Sequence, residues 1–169
     1  EAIFLCNLAV VHHMLGNFEE AERLFLEDID VSTEMGLNGH LALIYGNLGD
    51  LYLDMDQVPK AIGFLLKCLH QAEEYYPLVK TVFMASLALA YAMDHQPVLA
   101  LKTIREQPIQ EIENYKEEYI KALCKHVVIL TIAGNHDEAQ QLRQKISSMD
   151  VQEFASDSLV MRWIRRIMR

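Results

Sequence analysis

The chain has 169 residues, enough for one domain, and its 51% hydrophobic content with only 7 Gly and 4 Pro suits a packed helical protein. Its formal charge is −9, and without Arg162, Arg165, Arg166 and Arg169 only 11 of the 15 basic residues remain against 24 acidic ones, a balance of −13. Such a body repels phosphate, which excludes nucleic acid as a partner of this domain and disfavours an anionic membrane surface.

No stretch reaches the roughly 18 apolar residues that span a bilayer, and no signal-peptide pattern opens the chain. The three cysteines, Cys6, Cys68 and Cys124, stand far apart with no Cys-x-x-Cys pair. Reduced thiols in a reducing compartment, with a cytoplasmic location as the default, fit them better than a disulfide framework. The chain begins at Glu1 without Met, at the start of a patterned segment, so the expectation is a piece of a longer protein.

In chain order, helices are predicted over residues 2–15 and 18–35, divided by Gly16-Asn17, which stops one helix and caps the next. Gly36 ends the second, Leu37 packs back, and Asn38 caps a third helix over 39–55. Pro59, Pro77 and Pro97 each fall in a first helical turn, where the missing N–H does no harm. Gln107-Pro108 breaks the pattern, and polar turns lead to a further helix pair, the second member over 137–147. The last stretch, 157–169, places Leu159, Val160, Trp163, Ile164, Ile167 and Met168 on one face and its four arginines elsewhere. It reads as a capping helix, with a basic amphipathic helix for an acidic partner as the alternative.

These helices repeat. Leu48, Gly49, Tyr52, Ala61 and Leu65 have counterparts in Leu8, Ala9, His12, Ala21 and Phe25, and again in Leu87, Ala88, Tyr91, Ala100 and Ile104. A weaker copy reads Val127, Leu130, Gly134 and Ala139, with His126 and Arg143 at places where the other copies hold apolar residues. The alanine of each second helix falls at 21, 61, 100 and 139, spacings of 40, 39 and 39.

Leu-Gly-x-x-Tyr followed by a turn and then Ala with a large residue resembles the tetratricopeptide repeat, in a variety longer than the common period of about 34 residues. The resemblance implies an all-α, right-handed α-solenoid of four antiparallel helix pairs, over about 2–37, 38–76, 77–107 and 108–148, plus the C-terminal capping helix 157–169. It also implies a concave groove lined by the first helix of each pair. The peptide- or protein-binding residues expected there are Asn7, Val10, His13 and Met14, then Asn47, Asp50, Leu53 and Asp54, then Leu89, Met93 and Val128, with Ile3 at the groove's start. Asn7 and Asn47, at equivalent places, are expected to bond the backbone of a bound peptide. The carboxylate clamp by which relatives hold chaperone tails is not expected, because its places hold Cys6, Val10, Val82 and Ser86 and only Asn47 matches.

Chemistry beyond binding finds little support. The seven histidines include no His-x-x-x-His and no Glu-x-x-His pair, so no metal site is expected. Asp50 and Asp54 share a helical face as a general acid and base would, but no nucleophile or phosphate loop accompanies them, so they read as surface carboxylates. The expectation is a non-enzymatic scaffold or adaptor with no cofactor, which binds a peptide or protein segment; a homodimer partner is the alternative cover for part of the groove. The competing reading is the peptide-sensing domain of a bacterial transcription regulator.

Overall fold

The computed structural model describes residues 2–156 and 158–169, with side chains from Phe4 onward, so Ile3 as a groove residue and Asp157 in the tail lie outside the described residues. Nine α-helices and one 3-10 turn account for the regular structure, and no strand occurs among the described residues. The chain divides into two compact units, 1–83 and 84–169.

Unit 1 holds α1 (Ala2–Leu15), α2 (Phe18–Glu34), α3 (Asn38–Asp54), α4 (Val58–Tyr75) and the first part of α5 (Pro77–Met93). The α1/α2 and α3/α4 pairs pack closely, and α2 and α1 both touch α3. Its core is built from the repeat-signature residues: Ala9, Ala21, Phe25, Leu48, Ala61 and Leu65 are all fully buried. The Leu48-Gly49 pair has a steric reason, because a Cβ at Gly49 would meet Leu65 Cγ of α4 at 2.5 Å. Tyr52 of the same signature stacks on Phe64 at 5.4 Å between centroids and donates its hydroxyl to Glu22 at 2.6 Å.

Unit 2 contains the rest of α5, then α6 (Pro97–Glu106), the 3-10 turn Ile109–Ile112, α7 (Lys116–Ile132), α8 (His136–Ser147) and α9 (Leu159–Ile167). Helix α7 is its centre, touched by α6, the 3-10 turn, α8 and α9. Ile120, Cys124, Val127 and Ile129 of α7 are fully buried, as is Val160 of α9, with Ala139 and Ile146 of α8 nearly so. Ser158 begins α9 as an N-cap, its hydroxyl accepting from the Met161 amide.

The turns that close α1, α2, α3, α5 and α7 share one hydrogen-bond pattern. After α1, the Asn17 N–H reaches the His12 carbonyl at 2.9 Å and the Gly16 N–H reaches the His13 carbonyl at 3.0 Å, the paired bonds of a Schellman turn. The same pair of bonds recurs at 36, 56, 95 and 134. The expected asparagine caps are a correction, since Asn17 makes no side-chain cap bond, while Leu37, not Asn38, holds the N-cap of α3. At both caps ψ lies near 65° (65° and 64°), short of the extended region from which a side chain reaches the first free amides.

The turn requires a left-handed residue, supplied by Gly134 at φ 79° but by His95 at φ 59°. A side chain disfavours that conformation by about 1 kcal/mol or more. His95 is exposed, so His95→Gly is expected to raise stability by about 0.5 to 1 kcal/mol, whereas Gly134→Ala lowers it by a similar or larger amount. Chemical denaturation of both variants checks the opposite signs.

Candidate interaction surface

Helices α1 and α3 place most of the expected binding residues, and they do so by helical spacing. Asn7, Val10 and Met14 lie three and four residues apart along α1, and Asn47, Asp50 and Asp54 do the same along α3. Two bonds tie the helices together on this side. His13 Nε2 lies 2.9 Å from Asp54 Oδ2, and the Asn47 amide donates to Cys6 Sγ at 3.7 Å.

Around these ties Asn7 and Asp54 are exposed, while Val10, Met14, Asn47 and Asp50 are half-buried. The result is a strip with apolar patches from α1 beside carboxylates from α3. His13, only 7% exposed, serves the strip by anchoring Asp54 and also stands edge-on to Phe18 at 6.0 Å.

Three of the residues expected in the groove are buried. Leu53 is 8% exposed and Leu89 is 2% exposed, so both belong to the packed interior and offer no surface to a ligand. His13 is likewise covered. The physical reason is that a first helix in such a pair is flanked on more than one side, and positions at the edge of its outer face are closed by neighbouring helices. Asn47, expected to bond a peptide backbone, already spends a donor on Cys6, whereas Asn7 stands exposed. In unit 2, Met93 and Val128 are half-buried.

The interior polar groups were less legible. Asp28 is fully buried; it accepts from the Ser32 hydroxyl at 3.1 Å and lies 3.0 Å from His40 Nε2. In unit 2, Lys125 donates to the Ser86 hydroxyl, and His126 Nε2 lies 2.6 Å from Gln107 Oε1. Burial holds the His126 pKa down to about 4. Burial pushes the Cys6 thiol up to about 11, with the Asp28 charge adding to the rise and the Asn47 bond opposing it. Cys124 is pushed up to about 12 by burial, and Cys68 is raised by burial and by Asp50. None of the three is an activated nucleophile.

A helix of the membrane-spanning kind, long and apolar enough to cross a bilayer, does not occur among the described residues. A profile described as Tetratricopeptide repeat matches residues 1–74, the segment that contains α1, α2, α3 and all but the last residue of α4. Repeats of that family generally mediate protein–protein interaction. No curated protein matches the chain.

Proposed function

We propose, from the premise that residues 1–74 belong to the tetratricopeptide repeat family, that this chain is a protein-interaction module that holds a peptide or protein segment along α1 and α3 of unit 1. The observation that carries this is the strip itself, where half-buried Val10 and Met14 stand beside Asp50 and exposed Asp54. Apolar side chains give a segment area to bury, and carboxylates next to them favour Lys or Arg in that segment. The net charge of −9 adds a long-range preference for a cationic partner. We assign the module no catalytic step and place it in the cytoplasm as an adaptor, where its thiols stay reduced.

Selection of peptides from a random displayed library on the whole chain tests the reading. Selected peptides should be enriched in Lys or Arg next to apolar residues. Met14→Glu and Asp50→Lys should each weaken their binding at least about tenfold, a loss of about 1.4 kcal/mol or more. Arg23→Glu on the exposed side of α2, where Arg23 bonds its own helix neighbours Glu20 and Glu27, should change little. Peptides that bind the Met14 and Asp50 variants as tightly as the parent would move the interaction surface elsewhere. Leu53→Glu does not serve as a probe, because it buries a carboxylate and is expected to unfold unit 1.

A further inference from the structure

Three helices of unit 1 each bring one ligand atom to a common point. Cys6 Sγ from α1, a carboxylate oxygen of Asp28 from α2 and a ring nitrogen of His40 from α3 all lie within 4.8 Å of one another. We infer that these three residues form a transition-metal site, with Zn2+ as the ion that the donor set favours. Thiolate and imidazole are ligands of borderline-soft divalent ions, and three protein ligands with a fourth position left to water is a common zinc arrangement. Ligands at roughly 2.0 to 2.3 Å in a tetrahedron sit roughly 3.3 to 3.8 Å apart. Closing the cluster onto an ion therefore takes movements of about 1 Å, within the reach of side-chain torsions.

Charge balance supports the same reading. The Asp28 carboxylate is 0% exposed, and its bonds come from a hydroxyl and an imidazole, neither of them a fixed cation. A buried carboxylate is stabilised by compensating positive charge, which a divalent ion supplies. When Zn2+ binds, the Cys6 S–H bond breaks, its proton leaves to solvent, and an S–Zn bond forms. His40 coordinates as neutral imidazole, so thiolate, carboxylate and divalent ion together sum to zero inside the unit.

The surrounding groups are already placed as an outer shell. Ser32 donates to Asp28 Oδ1, so Oδ2, which stands 3.0 Å from His40 Nε2, is the oxygen that turns to the ion as the imidazole exchanges that contact for its own bond to the metal, and the Asn47 amide points at Cys6 Sγ. Such partners orient ligands and stabilise the bound thiolate. The ligands are 22 and 12 residues apart in the chain, so no short spacing motif announces them.

The test uses the whole reduced, metal-stripped chain, titrated with Co2+ and then Zn2+. The expected result is one equivalent of Co2+ with a thiolate-to-cobalt charge-transfer band, displaced by one equivalent of Zn2+, and a higher Tm with Zn2+ present. Cys6→Ser should abolish the charge-transfer band, and His40→Gln should weaken binding at least about tenfold, while Cys68→Ser and His12→Gln leave both unchanged. If Cys6→Ser fails to fold, Cys6→Ala fits the same buried space and must also lack the band. A band that persists in either folded Cys6 variant, or a Zn2+ effect on Tm equal in parent and His40→Gln, would overturn the assignment. A parent chain that shows neither band nor Tm rise would leave Asp28 and His40 as a structural pair and sink it equally.

Discussion

Deletion of residues 157–169 is expected to lower the melting temperature and to drive the shortened chain into association. In unit 2, α9 lies on α7 with Val160 fully buried and Ile167 3% exposed, and Trp163 sits half-buried with the Lys125 ammonium 5.8 Å from its ring centroid. Returning two such aliphatic side chains to water forfeits on the order of 3 to 6 kcal/mol. For a chain of this size that is a fall in Tm on the order of 10 °C. The exposed α7 face then supplies a contiguous apolar patch, which favours self-association. Calorimetry with light scattering on the truncated chain measures both effects. A truncated chain that stays monomeric with the parent's Tm would show that α9 adds nothing to the fold and is free to bind a partner through its arginines.

The second large effect is an acid-side loss of stability traced to His126. Its native pKa lies near 4 because burial penalises the charged ring, against an ordinary value near 6.5. Between those values the unfolded chain carries the proton and the native chain does not, so stability rises with pH across the window and is lost as pH falls from about 7 toward 4. The integrated loss is on the order of 3 kcal/mol. His126→Gln preserves an amide partner for Gln107 and removes the titration. Urea denaturation at several pH values from 7.5 down to 4.5 should therefore show a flatter acid limb for the variant. Parallel limbs in the two proteins would mean that His126 gains its proton without opening unit 2.

The repeat was legible because its determinants are local. Turns recur at 16, 56, 95 and 134, in step with the alanines at 21, 61, 100 and 139, since each turn must deliver the chain to the same side of its partner helix. Gly49 against Leu65 shows why the signature names a small residue there. Pro77 and Pro97 each begin a helix and Pro59 lies in the first turn of α4, where their rigid φ fits. The surface was legible only in part. Helical spacing puts Val10 and Met14 on one side of α1 and Asp50 on one side of α3, where all three are half-buried, but whether Leu53 and Leu89 face solvent depends on which neighbours close over them, and periodicity along one helix does not carry that information. Asp28 sits on a helix with many acidic residues, and nothing in its immediate neighbours distinguishes it from the exposed Glu27. Its fate is decided by Ser32 one turn on and by His40 on the next helix.

The three covered thiols give the chain a built-in clock for its own breathing. Cys6 and Cys68 lie in unit 1 and Cys124 lies in unit 2, each at 3% exposure or less. A thiol reagent attacks the thiolate at a solvent-reached sulfur, so each site reacts only during the moments when its surroundings part. Single-cysteine versions then read local opening at three depths without any dye or label introduced in advance. In the metal-free chain, equal modification rates at Cys6 and Cys68 with a different rate at Cys124 mean that the two units open on separate schedules; one common rate means that both open in a single cooperative event.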